Sequence, residues 1–540
     1  MKSLLILILF LAGSISPLLA QVKFIERFEV LEEPNDPTFE MMRIEDGLVS
    51  FRTYQGKGFS AKKVFQFFVS DLDLKSKGLI ELEMRPGYEM VGYDTDGNNL
   101  FVLMAKGYAS TSDKYILQVN LESNQGFEFP AENLLSIELV EFLVQNRKAV
   151  FMGSSEGRPV LQIFDLDTKS IHTVQGVYGN NTQVLQIREM PELEALEVVI
   201  SRRGQYKDRE TSILTFDMLG NLVREIKVDK FGTQDQEILD GMLLADQNYQ
   251  QVMIGSYGLN GRAAYQGMYI MEINEFGEYD FKLYTLEDFP NFFNYLSEKQ
   301  KSKRDEVVVK ELEKSKIPLI RNTYAVRDVR QQGDAYYIYF DQVNIVSNGG
   351  RRPNGWTSTS NYRYDRINRM GYAPYYMDPF LSPSTNPMQT FTAVNEYQYE
   401  SAHFLKVSKE GNVLWDNAAT YGGFITTYPE PFGEIAIVGD DLYHLYAEND
   451  LIKASFFRNG EKVFENLDFE LELPNENERI DYTDFETLRL VHWYDRYFIL
   501  TGQQTVRGLN PQNQTQERRV FFMSKILVDG DLYQSEEAGD

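Results

Sequence analysis

Residues 404–415 read FLKVSKEGNVLW. Leu405, Val407, Val413 and Trp415 put an apolar residue on every second position of two short runs, with Lys409-Glu410-Gly411-Asn412 between them. A period of two marks strands and the polar segment with its glycine marks a tight turn, so the stretch reads as a β-hairpin. Gly411 stands where such a turn needs a positive φ, which a residue without Cβ adopts at no steric cost. Similar spacing recurs at Phe216 to Gly220, Ile273 to Gly277, Phe456 to Gly460 and Ile526 to Gly530.

Looser copies at Asp71 to Ser76, Asn120 to Asn124 and Asp165 to Thr168 lack the glycine but keep residues whose side chains can satisfy a turn backbone. The turns fall about 45 to 70 residues apart with one interval of about 134, near the ~40–50-residue period of propeller repeats plus one insertion. These hairpins resemble the outer blade hairpins of β-propellers secreted by Gram-negative bacteria: a strand, a Gly-Asn type turn, and a strand often ending in Trp. The resemblance implies an all-β propeller of about eight (seven to eight) four-stranded blades, and it carries over no catalytic residue. Apolar runs at Leu48 to Thr53, Asn99 to Ala105, Ala149 to Ser154, Leu196 to Ser201, Gln251 to Gly255, Leu442 to Ala447 and Tyr497 to Thr501 supply the buried inner strands. Ala335 to Val346 supplies an eighth. The alternation over Val22 to Val30 predicts an early strand that completes the last blade.

The chain has 540 residues, 36 Phe and 33 Tyr, no cysteine, and a formal charge of −26. Aromatic richness suits strand surfaces, and the absence of cysteine excludes disulfides and thiolate chemistry. The charge repels phosphate backbones and argues against nucleic acid as a partner. Met1 to Ala20, with Lys2, an apolar centre from Leu4 to Leu11 and a small residue before Gln21, reads as a signal peptide. The mature chain, 21–540, is expected in the periplasm or outside the cell, with no later apolar segment long enough to span a bilayer.

The long interval, 286–399, reads as an insertion of three parts. Leu286 to Lys316 recurs near helical spacing and predicts a helical pair over 286–317 that caps the propeller or binds a partner. The strand at 335–346 follows. The loop at 348–399 combines prolines with Trp356, Tyr362, Tyr364, Tyr372, Tyr375 and Tyr376, and with Arg351, Arg352, Arg363, Arg366 and Arg369. Rings give rigid contact area and guanidinium groups give planar donors, so these eleven residues are the candidate binding set. Packing of the same rings onto the propeller is the competing reading.

Asp94-Thr95-Asp96-Gly97-Asn98 has the oxygen-rich spacing of a calcium loop, with Asp94, Asp96 and Asn98 as candidate ligands against the reading of a plain turn. Gly153-Ser154-Ser155-Glu156-Gly157 matches a nucleophile elbow in letters, but a strand follows it where the elbow needs a helix. His172, His403, His444 and His492 form no metal-ligand motif. The functional expectation is a binding or scaffold propeller engaging an envelope protein or a glycan through the insertion. The alternative is a propeller enzyme acting on polysaccharide or peptide with carboxylates at its channel.

Overall fold

The computed structural model describes residues 21–34, 36–56, 62–107, 112–132, 134–156, 158–180, 182–203, 209–233, 235–245, 250–259, 265–314, 316–318, 323–347, 395–426, 433–475, 477–509 and 515–529. The signal-peptide reading and the hairpin glycine at 530 lie outside them. The fold is all-β: eight antiparallel four-stranded blades of a propeller, each a sequential meander except the last.

The chain divides into two compact units, Asn35–Phe432 and Met1–Pro34 with Gly433–Asp540. The first holds six blades. Blade 1 is Glu40–Ile44, Gly47–Gln55, Lys63–Asp71 and Ile80–Glu83; blade 2 is Glu89–Asp96, Asn99–Ala105, Lys114–Asn120 and Gln125–Pro130. Blade 3 is Glu138–Gln145, Lys148–Ser155, Arg158–Asp165 and Ile171–Thr173; blade 4 is Thr182–Met190, Ala195–Arg203, Arg209–Asp217 and Leu222–Val228. Blade 5 has a split first strand (Gln236–Ile238, Met242–Ala245), then Gln251–Leu259, Tyr265–Ile273 and Tyr279–Thr285. Blade 6 is Thr323–Gln332, Ala335–Ser347, Asn395–Ser408 and Val413–Thr426. In the second unit, blade 7 is Gly433–Val438, Asp441–Glu448, Leu451–Arg458 and Glu461–Glu470. Blade 8 takes Arg479–Tyr494, Tyr497–Leu509 and Thr515–Asp529 from the end of the chain and its fourth strand, Gln21–Leu31, from the beginning.

The expected inner strands all fall on second strands of blades. Ile526 pairs with Phe24, so the expected early strand completes the last blade from the other end of the chain.

The repeated turn has a common chemistry. At the start of the outer hairpin in blades 1 to 6 a short polar side chain accepts from backbone N–H groups a few residues on. Asp71 takes Asp73 and Lys75, Asp165 takes Asp167 and Thr168, Asp217 takes Leu219 and Asn221, and Asn274 takes Phe276 and Glu278. Asn120 accepts from Ser123 and Ser408 Oγ from Asn412. Blade 7 turns instead through Asn459-Gly460, both at positive φ. These are the polar residues that turn chemistry favours, and they are why the repeat is visible in sequence.

Apolar side chains from consecutive blades interleave. Phe51, Phe65 and Phe67 of blade 1 pack with Tyr93, Leu100 and Val102 of blade 2, and Leu445 and Phe456 of blade 7 with Leu500 and Phe522 of blade 8. Polar side chains on or beside first strands add grips on the next blade's backbone. The Val144 N–H donates to Asp94 at 2.6 Å, Leu243 N–H to Gln186 at 2.7 Å and Val326 N–H to Asp240 at 3.1 Å.

The hairpin glycines also serve this packing. A Cβ on Gly411 (φ +76°) would lie 2.9 Å from the Tyr284 hydroxyl and 3.0 Å from Lys282 Cδ of blade 5, and Tyr284 donates to the Gly411 carbonyl at 2.8 Å. Gly333, in the same blade at φ +59°, has open space around it. Gly411→Ala is therefore expected to cost about 1–3 kcal/mol, from left-handed backbone plus overpacking, and Gly333→Ala only the backbone part. Urea denaturation midpoints of the two variants measure the difference.

Candidate functional site

Blade 6 departs from its neighbours. Its two middle strands run 13 and 14 residues, whereas those of blades 5 and 7 run nine and eight. They stay paired to their far end, where Ser347 lies opposite Asn395. Residues 348–394 therefore leave and re-enter the sheet across one ladder rung. Arg351, Arg352, Trp356, Tyr362, Arg363, Tyr364, Arg366, Arg369, Tyr372, Tyr375 and Tyr376 all belong to this connection and lie outside the described residues. The expected loop boundary at 399 gives way: 395–399 are strand, and Tyr399 is wholly buried against the sheet.

A network inside blade 6 braces that ladder. Arg327 Nε donates to Asp341 Oδ2 at 2.6 Å, and both side chains are cut off from solvent. Tyr421 donates to Asp341 Oδ1 at 2.8 Å, its hydroxyl lies 2.6 Å from that of Tyr339, and the Arg327 guanidinium stands over the Tyr399 ring at 5.5 Å. Burial opposes the charge on Arg327, but the Asp341 carboxylate overrides it and the guanidinium stays charged. Burial raises the Asp341 carboxyl, and Arg327 and Tyr421 pull against that.

The segment between blades 5 and 6 covers this blade. The expected helical pair is one helix, α1 (Glu298–Leu312), preceded by a 3₁₀ turn at Leu286–Asp288 and successive tight turns closed by Phe292, Asn294 and Leu296 N–H groups. Pro290 explains the difference: it lacks an N–H for a helical ladder, so the apolar spacing is met by turns instead. Phe289 and Phe292 nevertheless bury as a helix would have buried them, beside Phe340 and Leu405 of blade 6.

A cavity of ≈ 10 Å³ lies where this cap meets the sheet, lined by Phe289, Phe292, Phe340, His403, Phe404, Leu405, Asp416 and Asn417. That is about the room one water requires. Asp416 accepts from Asn291 N–H at 2.9 Å, Asn294 donates to Asn417 Oδ1 at 3.1 Å, and Lys301 of α1 donates to Asn294 Oδ1 at 2.6 Å. On the sheet, Gln342 donates to Glu400 at 2.7 Å and Ser401 Oγ donates to Gln342 Oε1 at 2.7 Å. The Ser401 oxygen, 2.8 Å from His403 Nε2, is thereby left as acceptor, so the imidazole carries its proton on Nε2. Burial takes the His403 pKa down to about 3, so the ring is neutral, stacked 5.0 Å from Phe340.

Burial takes the Asp416 carboxyl up to about 6, with the hydrogen bonds from Asn291 acting against it. A folded-state pKa above the unfolded value means the stabilising contribution is complete below pH ~4 and lost as pH rises through about 6. Asp416→Asn is thus expected to gain stability relative to the native chain as pH goes from 4 to 7, by at most roughly 3 kcal/mol. Thermal unfolding of both proteins across that range checks the sign.

Among the polar residues here, His403 stands out in sequence, as one of four histidines. A usable signal existed: Arg327 in AVRDV and Asp341 in YIYFDQV are charges inside otherwise apolar strands. Of the calcium candidates, Asp94 is buried and holds Val144 of blade 3, Asn98 donates to Glu122 at 2.7 Å, and Asp96 pairs with Asn99 across a two-residue turn. Among the described residues no three histidine, aspartate or glutamate side chains group as a metal site. Ser155, the central serine of the elbow-like match, ends the strand Lys148–Ser155 and lies opposite Arg158 of the next strand, a hairpin and not an elbow, as expected.

No family model matches this chain, and no curated protein matches it in sequence. Solved structures similar to it include the β-propeller domain of the Trilobed protease from Pyrococcus furiosus, at 9% identity and a TM-score of 0.33 over 80% of this chain and 97% of that one. The polysaccharide lyase Uly1 is similar at 9% identity and a TM-score of 0.36, over 94% of this chain and 100% of that one. An acylaminoacyl peptidase from Pyrococcus horikoshii matches at 9% identity and a TM-score of 0.33, over 80% of this chain and 52% of that one, so the chain spans about half its length. The fold assignment rests on the eight blades themselves.

Proposed function

We propose that this chain is a secreted or periplasmic binding propeller that engages an envelope protein or a glycan through residues 348–394. The observation that carries the reading is the root of that connection: lengthened strands of blade 6, paired to their far end, braced by the buried Arg327–Asp341 pair and covered by the 286–312 cap. A rigid root lowers the ordering cost of a long recognition segment, and the composition of 348–394 supplies rings and guanidinium groups suited to protein or sugar surfaces. The enzyme alternative needs convergent carboxylates. Asp416, the carboxylate lining the blade 6 cavity, is engaged by Asn291, so that cavity supplies no such pair; carboxylates at the channel are the alternative that turnover in the test below would reveal.

The test replaces 348–394 by an Asn-Gly turn between Ser347 and Asn395, which leaves blade 6 and its cap whole. Native and shortened proteins are compared on a glycan array, by co-sedimentation with purified peptidoglycan, and by cross-linking in isolated envelopes. Loss of a specific ligand in the shortened form is the expected result. Retained binding, or hydrolysis of a polysaccharide or peptide by the shortened form, overturns the proposal.

A further inference from the structure

Helix α1 obeys local rules on one face and breaks them on the other. Lys301, Val308 and Leu312, related by steps of seven and four, are the half-buried side, and Val308 packs on the core shared by blades 5 and 6. The same steps put Lys299, Lys303, Val307 and Lys310 on the opposite, exposed side. Lys299 and Lys303, four apart, repel along the helix, and Lys299 also lies in the first turn, where the helix dipole disfavours cations. Val307, 48% exposed in the middle of this row, is a β-branched residue that weakens the helix and stays outside the core clusters that would compensate.

Lys310 has Glu306 at 3.7 Å, but among the described residues neither Lys299 nor Lys303 has an acidic partner. In a chain of net charge −26 Lys299 and Lys303 would be easy to neutralise, and neither is. Local rules broken on one exposed face without a compensating contact are the mark of a surface kept for another molecule.

We infer that the Lys299–Lys303–Val307–Lys310 face of α1 is a docking surface for an acidic segment of a partner protein, with carboxylates on the lysines and an apolar side chain on Val307. The occupant follows from complementarity. A bilayer would need a broad apolar face to insert, whereas this face offers one valine, and the acidic body around it repels an extended anionic surface. This surface is independent of the 348–394 reading.

The test uses the full mature chain and a fluorescein-labelled, glutamate-rich peptide with one central leucine, followed by anisotropy at several salt concentrations. Binding that weakens with salt is expected. The triple variant Lys299→Glu, Lys303→Glu, Lys310→Glu should weaken it at least about ten-fold, and Val307→Ser several-fold. A second triple variant, Lys77→Glu, Lys106→Glu, Lys169→Glu, makes the same change in net charge on exposed lysines of blades 1 to 3 and should leave binding within about two-fold. Equal losses in both triple variants, no peptide binding by the native chain, or binding to phosphatidylglycerol vesicles in preference to the peptide would each overturn the inference. Circular dichroism of the variants confirms that α1 persists.

Discussion

Replacing Arg327 by alanine is expected to cost about 3–5 kcal/mol, because it leaves a carboxylate in a place water does not reach. Asp341 is wholly buried, its Oδ2 takes the Arg327 Nε–H at 2.6 Å and its Oδ1 the Tyr421 hydroxyl at 2.8 Å. Without the guanidinium the charge keeps hydroxyl donors but loses its counter-ion, and the group would fold more readily protonated. The Arg327→Ala variant should therefore also lose stability as pH rises from 5 to 8, since burial already raises this carboxyl. Asp341→Ala should be comparably harmful, for it leaves a guanidinium with the same deficit. The double variant Arg327→Met, Asp341→Leu should be far milder than the sum of the single changes, because apolar side chains of similar size need no partner. Denaturant unfolding of the native chain and the three variants measures the difference. A single Arg327→Ala cost below about 1 kcal/mol would show that the pair does not brace blade 6.

The contrast between that pair and the hairpins explains what the sequence discloses. Turns are local: Asp217 or Asn274 satisfies amides within four residues, so the chemistry and its signal sit in one short stretch. Strand alternation is local too, and the second strand of every blade falls where its apolar run stands. The Arg327–Asp341 pair spans 14 residues, the Asp416–Asn291 contact 125, and the Asp240 grip on Val326 86. Contacts at such separations leave single polar residues in apolar runs, and nothing in the run names the partner. Pro290 breaks a helical ladder, yet the aromatic and leucine positions around it match a helical period because turns and a helix can bury the same residues. The candidate binding set was legible for the opposite reason, as a composition that suits recognition with no periodicity to assign it to a strand.

Removing Gln21–Leu31 is expected to unfold blade 8, although the deletion lies at the opposite end of the chain from the strand it exposes. Ten paired positions join this segment to Thr515–Asp529, from Gln21 opposite Asp529 to Leu31 opposite Val520. Arg27 stacks on Phe522 at 4.3 Å and donates to Gln504 at 2.9 Å, and Arg518 reaches back to Glu29 at 3.0 Å. Without the strand, a row of backbone donors and acceptors and the buried Val520, Phe522, Ile526 and Val528 would form an open edge. The loss would take most of the ~5–15 kcal/mol that holds a unit of this size together. Limited proteolysis should then cut within 479–529, where the native chain resists. The geometry also supplies the rescue: because Gln21 faces Asp529, the segment Gln21–Leu31 joined after Asp529 through an Asn-Gly turn can occupy the same position as an ordinary outer hairpin. That rearranged chain should regain protease resistance and a cooperative thermal transition. If the deletion alone left both unchanged, the first strand would be an ornament on a blade that three strands suffice to hold; if the deletion unfolded the blade and the rearranged chain stayed unfolded, the pairing of Gln21 with Asp529 would be wrong.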